Sequence, residues 1–155
     1  MGYRVIGLSP ESFQDFFGMP DAELAVHGIK RYVVDKKPGF PDRIEMQDCE
    51  PGETVLLLNH FSQTADTPYR ASHAIFVREG ARIAYDAIDQ VPSVMRDRLL
   101  SARGFSKEGM MLDADVVEGK ELEPLIHHFF DNKQIDYIHI HNAKRGCYSG
   151  RIDRA

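Results

Sequence analysis

Residues 135–152 read Ile135-Asp136-Tyr137-Ile138-His139-Ile140-His141-Asn142-Ala143-Lys144-Arg145-Gly146-Cys147-Tyr148-Ser149-Gly150-Arg151-Ile152. Two short alternating runs flank Lys144-Arg145-Gly146, the pattern of a β-hairpin whose glycine takes the left-handed turn position. A three-residue loop pairs Ala143 with Cys147. That register predicts Ile138, Ile140, Tyr148 and Ile152 on one face, with His139, His141, Cys147, Ser149 and Arg151 on the other. Side chains alternate with period two, so a slip by one residue would mix the isoleucines with Arg151 and Ser149. Two histidines, a thiol and a guanidinium are thus expected on one surface of an antiparallel pair.

Working outward from the hairpin, residues 118–132 carry Leu122, Leu125, Ile126, Phe129 and Phe130 in the i, i+3, i+4, i+7, i+8 stripe of a helix covering a sheet. Pro124 falls in its first turn, where a missing amide hydrogen is tolerated. Residues 110–117 alternate cleanly, with Met110, Leu112, Ala114 and Val116 opposite Asp113 and Asp115. Thr54 to Phe61 is the most hydrophobic run, which predicts a central strand buried on both faces. Tyr69 to Arg78 gives another strand with a polar approach.

Further strands are expected at 3–8, 30–35 and 43–47. Short helices are expected after Ser9-Pro10 and over 21–27, the latter stopped by Gly28. Gln90 to Ser93 opens a helix carrying Val94, Met95, Leu99 and Ala102 and ending near Gly104, with Arg96, Asp97, Arg98 and Arg103 on its solvated side. Helices do not alternate regularly with strands. The fold class is therefore α+β, with a mainly antiparallel or mixed sheet of six to eight short strands, three to four helices and a C-terminal β-hairpin.

A chain of 155 residues, 43% hydrophobic and 28% charged, fits one domain over 1–155 with an ordinary core. Its net charge of −5 argues against nucleic acid as a partner, since phosphate neutralisation needs a clustered basic excess. The longest apolar runs are too short to cross a bilayer, and Met1-Gly2-Tyr3-Arg4 does not lead into a signal-peptide core. Two cysteines, Cys49 and Cys147, without a secretory signal point to the cytoplasm. A homo-oligomer is compatible with these totals.

Three constellations could carry chemistry. His139 and His141 lie roughly 7 Å apart along a strand. With Asp113 they would supply the histidine and carboxylate ligands of a divalent metal. Cys147 on the face of His141 could act as a nucleophile with that histidine as base and Asp115 or Asn142 as the orienting group. His60, Arg70, His73, Asn142 and Arg145 could line a pocket for a small polar or anionic molecule, because the guanidinium fork matches carboxylate and phosphate geometry. His60 reads equally as a hydrogen-bonded strand-end histidine, and Arg70 as the partner of a local acid such as Asp66. Neither GxGxxG nor GxxxxGK[ST] occurs, so a nucleotide cofactor has no motif. Two function classes follow: a small-molecule site, enzymatic or not, and a non-catalytic ligand-binding or protein-interaction module.

Four stretches carry a resemblance. They are Pro51-Gly52-Glu53-Thr54-Val55-Leu56-Leu57-Leu58-Asn59-His60, the segment from Pro68-Tyr69-Arg70-Ala71-Ser72 to Ile75-Phe76-Val77-Arg78-Glu79-Gly80, Met110 to Val117, and Tyr137-Ile138-His139-Ile140-His141-Asn142 with Arg145-Gly146-Cys147. In these the chain resembles the bacterial family called domain of unknown function 1203. The resemblance implies one stand-alone bacterial domain with no known cofactor, and it brings no activity to transfer.

Overall fold

The alternating runs condense into two antiparallel sheets in the computed structural model, which describes residues 2–155. In chain order the elements are β1 (Tyr3–Ile6), α1 (Asp21–Val26), β2 (Lys30–Val33), β3 (Thr54–Gln63), β4 (Ala71–Arg78), β5 (Asp86–Ile88), α2 (Ser93–Arg96), β6 (Leu99–Phe105), β7 (Met111–Glu118), α3 (Leu122–Asp131), β8 (Tyr137–Asn142) and β9 (Tyr148–Arg154). The larger sheet has the order β5-β1-β9-β8-β6-β7 and the smaller β2-β3-β4. The architecture is α+β with the C-terminal hairpin β8-β9 in the larger sheet.

Two cores lie on opposite sides of the larger sheet. On one side Leu122, Ile126, Phe129 and Phe130 of α3 pack on Leu100, Ala102, Ile138, Ile140 and Ile152. On the other, Leu56 and Leu58 of β3 with Ile75 and Val77 of β4 meet Ile44, Phe13, Leu24 and Tyr148. The strand expected over Thr54 to Phe61 extends to Gln63 and is the central strand of its sheet, its alternate residues facing this second core and a small outer cluster of Val34, Cys49 and Val55. It is not buried on both faces throughout, since Asn59 and Phe61 are exposed.

The hairpin follows the expected register over most of its length: Ile138 pairs with Ile152 and His139 with Arg151. Gly146 closes the turn at φ +79°, a region open to glycine. Nearer the turn the register shifts, because Ile140 pairs with Gly150 but His141 pairs with Tyr148. Ser149 is the extra residue of a β-bulge, and the bulge turns Tyr148 onto the histidine face. Beyond the bulge, Gly150 faces the crowded α3 side, where the Met46 and Met95 methyl carbons lie 2.7 Å from where a Cβ of residue 150 would stand. Tyr148 fills the inter-sheet core instead.

Two expected elements take other forms. The helix over 93–104 stops after Arg96, and Leu99–Phe105 is a strand between β7 and β8. Leu100, Ala102 and Gly104 alternate with Ser101 and Arg103, and burying the small-residue face under α3 outweighs the helical spacing. Arg43 to Gln47 is irregular, with Met46 at φ +56°, and it feeds Arg43, Ile44 and Met46 inward. No helix among the described residues is long and apolar enough to cross a membrane.

Candidate functional site

The alternation that builds the inter-sheet core turns polar at one end. On β3 the inward positions run Leu56, Leu58, His60, and on β4 Val77, Ile75, His73, with His60 and His73 directly paired. Facing them, β8 presents His139 and His141, β6 presents Arg103 opposite His139 and Ser101 opposite His141, and β9 presents Tyr148 and Arg151. Paired residues share a face, so four imidazoles, a phenol and two guanidinium groups converge between the sheets. The rings touch: His73 lies edge-on to His141 at 4.8 Å between centroids, and Tyr148 lies 5.3 Å from His139, 5.7 Å from His141 and 6.0 Å from His60.

The electrostatics of this layer are one-sided. Arg103 donates through Nε to Ser101 Oγ at 3.2 Å and has no carboxylate partner among the described residues. Of the acids the register puts on this face, Asp153 is taken by Arg151 at 2.8 Å and Asp86 by Arg4 at 2.5 Å, while Glu118 is exposed at the end of the edge strand β7. Burial pushes the His139 imidazolium down to about 3 and that of His141 down to about 4, with neighbouring histidines and arginines adding to the effect. Burial also lowers His60, and burial with Arg103 lowers His73. His141 Nδ1 lies 2.9 Å from the Gly146 carbonyl. A carbonyl only accepts, so Nδ1 carries the hydrogen and Nε2 keeps its lone pair in the neutral ring.

Among the described residues, the buried side-chain polar atoms without a hydrogen-bond partner are Ser62 Oγ, His73 Nδ1 and Asn142 Oδ1. Of these, His73 Nδ1 lies in the layer, whereas Asn142 pairs with Leu100 and so lies on the α3 face of β8, opposite His141. Buried polar atoms are nearly always paired, so the bare His73 nitrogen in a ring that meets His141 is a feature that packing alone does not account for.

The sequence-predicted residues separate into two groups. His60, His73, His139 and His141 come together. Asp113 and Asp115 do not join them, because they pair with Gly104 and Ala102 and so lie on the opposite face of an exposed edge strand. The expected metal set of His139, His141 and Asp113 is therefore not assembled, nor can Asp115 orient His141. No group of three or more histidine, cysteine or acidic side chains among the described residues is placed to hold a metal ion.

Arg70 is exposed, donating to the Thr64 carbonyl at 2.6 Å and lying over the Phe61 ring, and Arg145 is exposed in the hairpin turn. Cys147 is drawn away from His141: its sulfur accepts from Arg43 Nη2 at 3.2 Å and from Asn142 Nδ2 at 3.5 Å. Arg43 is buried at 3% exposure, and its other partners are the Tyr148 and Pro41 carbonyls.

Arg103 and Arg43 are the members that reading the sequence missed. The signal for Arg103 was present, since Ser101 and Arg103 alternate with Leu100, Ala102 and Gly104. Arg43 comes from an irregular segment with no periodicity to reveal it. At the far side of the layer His60 lines a groove of about 450 Å³ with Phe13, Phe16, Ile29 and Leu58. A second cleft, about 470 Å³ beside Tyr85, Arg96 and Lys120, contains none of the clustered residues.

Residues 39–154 match the family model described as protein of unknown function (DUF1203), and the chain belongs to that family. No curated protein and no solved structure matches the chain.

Proposed function

We propose that the inter-sheet layer binds a small anion, a phosphate- or carboxylate-bearing molecule, with Arg103 as its fixed charge and His73, His139 and His141 around it. One observation carries this reading: a half-buried guanidinium without a carboxylate partner stands among imidazoles, near a His73 nitrogen that lacks a hydrogen bond. A cation drawn out of water needs a counter-charge, and an oxyanion supplies both charge and acceptors. Two unpaired cysteines support a reducing, cytoplasmic setting. The test is titration calorimetry with inorganic phosphate on wild type and Arg103→Met. Loss of a charged hydrogen-bonding partner is expected to weaken binding about 10- to 100-fold. Equal affinity in the two proteins, or no binding by wild type, would overturn the reading.

A second reading gives Cys147 a reactive role. It is favoured by the contact with Arg43, a buried cation whose side-chain partner is the sulfur. Two donors, Arg43 Nη2 and Asn142 Nδ2, converge on that atom.

A further inference from the structure

We infer that anion binding at this layer is coupled to proton uptake, with His141 and its neighbour His73 gaining hydrogens as the anion enters. The inference rests on the anion-site reading above. Its basis is the hydrogen inventory. The Gly146 carbonyl holds the His141 hydrogen on Nδ1, so the nitrogen left for a ligand, Nε2, offers a lone pair. A lone pair repels an oxyanion. To donate to one, His141 has to become imidazolium, which keeps its bond to Gly146 and gains a second donor.

The surroundings make that change unfavourable until the anion arrives. His139 lies beside it on β8, Arg103 and Ser101 on β6, His73 on β4 and Tyr148 on β9, with Arg43 contributing from the segment before β3. Of the acids on this face, Asp153 is paired with Arg151, Asp86 with Arg4, and Glu118 is exposed at the sheet edge. His73 is in the same position: its Nδ1 is buried without a partner, and its ring meets His141 edge-on, so the two rings do not satisfy one another. An entering dianion would be the counter-charge for both. The proton comes from solvent and stays on the imidazole, with no bond to the anion made or broken.

Sulfate is the probe, because it keeps its two charges between pH 5.5 and 7.5. Calorimetric titration in two buffers of different ionisation enthalpy reads the protons taken up per ion. The expected result for wild type is net uptake, with affinity rising as pH falls by up to about tenfold per pH unit for one linked proton. His141→Gln, and separately His73→Gln in case the first variant folds poorly, should bind sulfate with a flatter pH dependence. Binding with no proton uptake and constant affinity across the range would overturn the coupling and leave the anion site intact. Failure to bind sulfate at any pH would overturn both.

Discussion

Arg43 and Cys147 show how a buried charge is accommodated without a carboxylate. The guanidinium spends its donors on two backbone carbonyls and one sulfur. The two cysteines should therefore differ sharply. Burial among apolar residues and nearby acids push the Cys49 thiol up to about 12, which makes it inert, whereas Cys147 is partly exposed beside a cation. Alkylation with iodoacetamide at neutral pH is expected to label one thiol per chain, at Cys147, and to slow on Arg43→Met. Labelling of Cys49 first, or an unchanged rate in the variant, would contradict that account. Arg103 shows a different accommodation, half-buried at the cluster with a serine hydroxyl as its partner and no carboxylate among the described residues.

At the scale of elements, the β8-β9 hairpin decides which side chains share a surface. Much of this was legible from alternation alone: the register of Ile138 with Ile152, the opposite facing of His139, the central strand Thr54–Gln63 and the covering helix α3. Three features were not. A bulge leaves no mark in a period-two pattern, so Tyr148 was expected beside the isoleucines. A short strand whose inward face is Leu100, Ala102 and Gly104 imitates a helix until its covering partner is known. Whether Asp113 shares a face with His139 depended on the register of β6 between β7 and β8, which spacing within a strand cannot tell. Gly150 is where the bulge meets the crowded side of the sheet. Gly150→Ala should destabilise by about 1–3 kcal/mol through overpacking against Met46 and Met95. A chemical-denaturation midpoint unchanged from wild type would show that the methionines simply move aside.

For the whole molecule, stacking two sheets across neutral histidines ties stability to pH. His139 and His141 titrate in the folded protein at about 3 and about 4, below the ordinary value of roughly 6.5 in an unfolded chain. Between those values the unfolded chain holds more protons, so stability rises with pH there. It is full above pH 6.5 and is lost as pH falls through 5 toward 4, at up to about 1.4 kcal/mol per pH unit for each such histidine. Asp42, whose carboxyl is raised by burial, acts in the opposite direction. The diagnostic quantity is therefore the difference between wild type and His139→Phe in denaturation free energy from pH 7 to 5. The variant should show the shallower decline, and parallel curves would contradict the account.

The same layer couples stability to ligand, because an anion that binds only the folded chain raises its stability in proportion to the logarithm of its concentration above the dissociation constant. The phosphate titration of wild type against Arg103→Met, followed through the imidazole ring resonances, tests this most directly. The account predicts saturable shifts at His73, His139 and His141 in wild type, smaller at the exposed His127 and His128, and much weaker binding in the variant. Shifts spread evenly over all the histidines, or the same titration curve in both proteins, would contradict an anion site between the sheets.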